Sequence, residues 1–90
     1  MKDQEINVAI AKLFPKIVPN PDYCHDLNAI QSAMMTLDDP HERLTLVANL
    51  MTVCGYGESY MEALADFLVV NATARQRAEA FLRVKGIWQE

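Results

Sequence analysis

Apolar positions along the chain recur at three- and four-residue intervals, and five stretches carry the recurrence far enough to define a helix. In the first, Ile6, Ala9, Ile10, Leu13 and Phe14 form one stripe of a 3.6-residue period; Asp3 is placed to cap its start, and Pro15 ends it. The second opens at Asp22 and carries Tyr23, Leu27, Ile30, Met34 and Leu37 as a narrow seam suited to a facing helix, before Asp38-Asp39-Pro40 breaks the pattern. The third has a complete start signature, with Asp39 as N-cap, Pro40 at the first helical position and Glu42 where a capping box places its acid. Leu44, Val47, Ala48, Met51 and Cys54 line one stripe of it and Leu46, Leu50 and Val53 a second, a face wide enough for the central helix.

Two further segments follow. Gly55 and Gly57, flanking Tyr56, suit the positive φ of a helix exit, and Ser59 with Glu62 forms a capping box for a fourth helix carrying Met61, Leu64, Ala65 and Leu68. Residues 66–70 also read as a short buried strand ending at Asn71, the alternative to helix up to about Leu68. The closing helix has the clearest punctuation: Thr73 with Gln76 as capping box, Ala74, Ala78, Phe81 and Leu82 as buried stripe, and Gly86 as a left-handed exit that folds Ile87 back over Leu82. Trp88 then lands beside the core or on an interface. Between the first two helices, Pro15, Pro19 and Pro21 remove backbone donors, so residues 16–18 form a connector or short edge strand, with Ile17 and Val18 tacking it onto the core. The expected fold is all-α, a compact bundle of about five short helices; the alternative is α+β, with a small sheet from residues 16–18 and 66–70.

Composition fits a packed core. Ninety residues, 51% of them apolar or aromatic and 22% charged, suit one domain spanning residues 1–90 and not a disordered tail. A formal charge of −4 works against sequence-independent attraction to phosphate. The first five residues hold two carboxylates where an export signal needs basic charge, and the longest unbroken apolar run, Phe67-Leu68-Val69-Val70, is far below the roughly 20 residues that span a bilayer. A cytoplasmic protein without membrane attachment is expected. Cys24 and Cys54 then read as buried, reduced thiols, and because Cys24 and His25 are adjacent their side chains diverge on a helix, so neither metal nor cofactor is expected.

The stretch from Asn71 through Ala74-Arg75-Gln76-Arg77-Ala78-Glu79-Ala80-Phe81-Leu82-Arg83-Val84-Lys85-Gly86 to Trp88, with Pro21-Asp22-Tyr23 and Asp26-Leu27-Asn28-Ala29-Ile30 upstream, resembles a family of small phage and prophage proteins of uncharacterised function. It is also distantly similar to a phage domain described as an α/β/α sandwich. That likeness implies strands in the middle of the chain, whereas residues 40–68 read as helix. The resemblance covers the second and last helices, under half of the chain, and its motifs are caps and stripes, so it implies a phage accessory setting and brings no catalytic residue.

Candidate chemistry is sparse. Arg75, Arg77, Arg83 and Lys85 supply half of the eight Lys and Arg residues and make the closing helix the candidate nucleic-acid surface. Against that reading, Arg75, Glu79 and Arg83 are spaced by four, so the acid can bridge two bases, while Arg77 and Lys85 point elsewhere. His25 with Asp22 or Asp26, and His41 with Asp38 and Asp39, are acid–base pairs lacking an accompanying nucleophile, and enzymatic activity is not expected. Met34, Met51 and Met61 fall on buried stripes, which leaves Met35 as the exposed methionine. Tyr56, Tyr60 and Trp88 are the candidate interface residues, Tyr60 with core packing as its alternative. Three functions follow from this: a protein-interaction module that pairs with a host protein or with itself as a homodimer; a nucleic-acid accessory protein using the closing helix; and, least supported, a small enzyme.

Overall fold

The structure is a computed structural model, and it describes residues 1–54 and 72–89. Within them the protein is mainly α: helices α1 (Asp3–Leu13), α2 (Leu27–Met34), α3 (Pro40–Val53) and α4 (Ala74–Val84), with no strand. The edge strand considered for residues 16–18 is absent, a turn and bend taking its place, with Ile17 N donating back to Phe14 O. The fourth helix expected from Ser59 to about Leu68, its strand alternative at 66–70, the Gly55 and Gly57 exit and Met61 lie outside the described residues.

Local sequence accounts for most helix ends. In α4 the capping box closes both ways: Gln76 N donates to Thr73 Oγ1 at 3.1 Å and Thr73 N donates to Gln76 Oε1 at 2.9 Å. At its other end Gly86 takes φ +75°, Gly86 N donates to Arg83 O and Ile87 N donates to Leu82 O, a complete Schellman closure. Asp39 caps α3 by accepting from His41 N at 2.9 Å, with Pro40 in the first turn. Glu5 accepts from Lys2 N at 3.0 Å at the start of α1, and Phe14 closes that helix immediately before Pro15.

Three expectations are corrected. The first concerns α2, which begins at Leu27 and not at Asp22. Asp26 accepts from both Asn28 N and Ala29 N and so acts as the cap, while residues 22–25 make a separate turn in which Asp22 O accepts from His25 N and Asp26 N. Tyr23 is nonetheless buried, and Ile30, Ala33 and Leu37 continue the seam, whereas Leu27 faces outward. The second concerns α1: Asp3 is its first residue, not its cap, and pairs instead with Arg75 at 2.7 Å. The third concerns which helix is central. Among the described helices, every pair in contact includes α4, which packs on α1, α2 and α3 and buries Ala74, Ala78, Ala80, Phe81 and Leu82. Three of those buried side chains are alanines, whose small size lets neighbouring elements approach the helix closely. On α3 the second stripe, Leu46 and Leu50, is buried, while Leu44 and Val47 of the first are exposed. Ile17 and Val18 are exposed too, so the connector is not tacked down through Val18, which is 82% exposed.

Among the described residues no helix is long and apolar enough to cross a membrane.

Candidate functional site

The basic residues of α4 are where the sequence placed a phosphate-binding surface, and the structure gives each of them a partner within the chain. Arg75 Nε donates to Asp3 Oδ1 at 2.7 Å and Arg75 Nη2 to Met1 O at 3.0 Å, tying α4 to the start of α1. Glu79, four residues on, has Arg75 Nη1 at 3.7 Å and Arg83 Nε at 3.2 Å, the acid-bridged ladder that the spacing implies. Arg77 Nε donates to Ala72 O at 3.1 Å, and its Nη1 reaches Gln31 Oε1 of α2 at 3.5 Å. Lys85 Nζ lies 3.7 Å from Glu42 of α3 and 5.9 Å from the centre of the Phe81 ring. These cations therefore join α4 to each of the other three described helices. The hydrogen bond that Arg75 donates to Asp3 holds its guanidinium even more firmly protonated than usual.

Of the candidate interface aromatics, Tyr56 and Tyr60 lie outside the described residues. Trp88 is half-buried against the core, and the Arg83 guanidinium stands 5.5 Å from its ring centre, a cation–π contact that covers one face. The Trp88 ring is therefore largely engaged within the chain.

Around His25 the structure assembles a polar cluster that sequence spacing only partly shows. His25 Nδ1 is 3.0 Å from Asp22 Oδ2, and His25 Nε2 is 3.4 Å from Asp3 Oδ2, so both ring nitrogens face carboxylates. Asn7 Nδ2 donates to Asp22 Oδ1 at 2.9 Å, and Asn7 Oδ1 accepts from Cys24 N at 3.0 Å. Hydrogen bonds from Asn7, then from His25, hold the Asp22 carboxyl below its ordinary value. The three-residue spacing of Asp22 and His25 makes their pairing visible in sequence; the approach of Asp3 and Asn7 depends on how α1 docks, and no local signal reveals it.

Among the described residues, no activated nucleophile joins the cluster. Cys24 is buried, its Sγ lies 3.6 Å from Asp3 O, and desolvation, reinforced by the Asp3 charge, pushes its thiol up to about 11. Burial also raises the Cys54 thiol. His41 is exposed at the start of α3, where its backbone N–H serves the Asp39 cap. No three His, Cys, Asp or Glu side chains among the described residues are arranged to hold a metal ion.

A different surface was legible in the sequence but assigned to the core. Leu44, Val47 and Ala48 of α3 are exposed, and Met51 is half-buried, at i, i+3, i+4 and i+7. They form an apolar stripe on the side of α3 turned away from α4, with Leu44 71% exposed.

Compared with known protein families, curated proteins and solved structures, the chain matches none.

Proposed function

We propose that the protein is a small protein-interaction module, non-enzymatic, working in the host cytoplasm as a phage-type accessory protein and docking its partner on the outward face of α3. The observation that carries this reading is the exposed Leu44, Val47, Ala48 and Met51 stripe: four apolar positions on two successive turns are the pattern by which one helix engages another or a groove. The resemblance of the closing helix to small phage proteins supports the setting. The internal pairing of Arg75, Arg77, Arg83 and Lys85, with the charge of −4, supports a protein partner over nucleic acid.

The test compares two immobilised baits, the wild-type protein and the Leu44→Lys/Val47→Lys variant, with partners cross-linked and identified from host cells and from the purified protein itself. The reading expects a partner, either another protein or a second copy, that the variant retains at least about tenfold less, a difference of roughly 1.4 kcal/mol. Circular dichroism and melting temperature of the variant should stay at the wild-type values, since both positions are exposed. Equal retention on both baits, or no partner on either, overturns it.

A further inference from the structure

Lys2 and Lys12 stand apart from the cations of α4: both are exposed, and neither belongs to an ion pair among the described residues. They contribute to the lining of an open groove along α1, which has about 410 Å³ of room and takes its apolar surface from Met1, Val8 and Ala9. Lys2 precedes α1 and Lys12 lies in its last turn, so the two are about 15 Å apart along the helix axis, one towards each end of the groove. Glu5 also lines it and is engaged at the helix start, accepting from Lys2 N. Val8, midway along, is 47% exposed.

The outward face of α3 has the complementary character. Leu44, Val47, Ala48 and Met51 make its apolar part, and Asp38 and Asp39 lie exposed immediately ahead of Pro40. Neither aspartate belongs to an ion pair among the described residues, and Asp39 accepts from His41 N as the cap. The other two charges of α3 are engaged within the chain, Glu42 by Lys85 and Arg43 by Leu37 O. Among the described helices α1 and α3 each pack on α4 and not on one another. With Leu44 and Val8 both exposed, the stripe and the groove do not meet inside one chain.

An apolar stripe led by two carboxylates and an apolar groove with a lysine towards each end match in both hydrophobicity and charge. A lysine at either end lets the acidic start of α3 meet opposite charge whichever way that helix runs along α1. We propose that the α1 groove receives the outward face of α3 from a second copy of the chain, so that the protein self-associates through two unlike faces. The proposal rests on the reading of α3 as the docking face and names its occupant. Every copy carries both faces, so the contact is complete without a different protein. Apolar burial holds it together, and the exposed charges set its register more than its strength. A contact between unlike faces closes as a reciprocal pair or a ring, or continues to further copies.

Sedimentation of the full chain at concentrations up to about 1 mM tests it. Leu44→Lys/Val47→Lys removes one face and Val8→Gln/Lys12→Gln the other; all four positions are exposed, so both variants should melt as the wild type does. The average mass of the wild type should rise with concentration to at least that of a dimer, and each variant alone should associate at least about tenfold more weakly. Mixed in equal amounts, the two variants should form a complex that neither forms alone, because one brings an intact groove and the other an intact stripe. The proposal is overturned by a wild type that stays monomeric, by Val8→Gln/Lys12→Gln associating as strongly as wild type, or by a mixture no heavier than its components. A monomeric chain that captures a host protein through Leu44 and Val47 overturns this proposal and leaves the α3 docking reading standing. Self-association undiminished by Leu44→Lys/Val47→Lys counts against both.

Discussion

Cys24 shows how the fold sets the chemistry of a single side chain. It sits in the turn ahead of α2 with its backbone N–H held by Asn7, and burial together with the neighbouring Asp3 charge disfavours the thiolate. Because the folded thiol ionises only near 11, against its ordinary value of 9.0, its contribution to stability is fully present below pH 9 and is lost as pH rises towards 11. Cys54 and Tyr23 are shifted in the same direction, so the alkaline loss is shared and the Cys24 part is read by difference. Denaturant unfolding of wild type and Cys24→Ala from pH 7 to pH 11 should show the wild type losing about 2 kcal/mol more than the variant over the upper two units. Parallel pH profiles would remove the buried-thiol account. Asp22 acts in the opposite sense: its lowered carboxyl contributes stability above its ordinary value of 3.8, and that contribution is lost as pH falls through the lower folded value.

Helices were the most legible level, because their ends are written in adjacent residues. Thr73 with Gln76, Gly86, and Asp39 with Pro40 each act within a few residues, and the structure uses all three as the sequence implies. What the sequence left open was which apolar face turns inward where a helix has two. On α3 both stripes satisfy the helical period, and the choice between them is made by docking against α4, a contact no local pattern encodes. The same applies to Asp22 and Asp26, both competent caps; only Asp26 is placed to accept from two backbone amides. Paired truncations on α3 check the assignment. Leu50→Ala should cost about 2–4 kcal/mol, because that side chain is 2% exposed in the core. Leu44→Ala should change stability by less than about 0.5 kcal/mol. Comparable losses at the two positions would mean that the buried stripe is misassigned.

At the scale of the whole molecule, the arrangement of charge is the feature from which the rest follows. A helix that with its C-cap Lys85 holds half of the chain's Lys and Arg residues invites a phosphate-binding reading, yet each of these cations meets a carboxylate, a carbonyl or an amide oxygen belonging to another part of the chain or to the same helix. Glu79 matters most here, being the least exposed of the acids in the ion pairs among the described residues and shared between Arg75 and Arg83. The exterior is left acidic overall, and the apolar stripe of α3 is the surface that contact with another protein would cover. The arrangement is tested most directly by the binding of fluorescent duplex DNA to the wild-type protein as salt is lowered to about 50 mM, where counterion release makes phosphate binding strongest. If the closing helix joins the molecule together, no saturable binding appears at any salt concentration; saturable binding whose logarithm falls linearly with the logarithm of salt would contradict it.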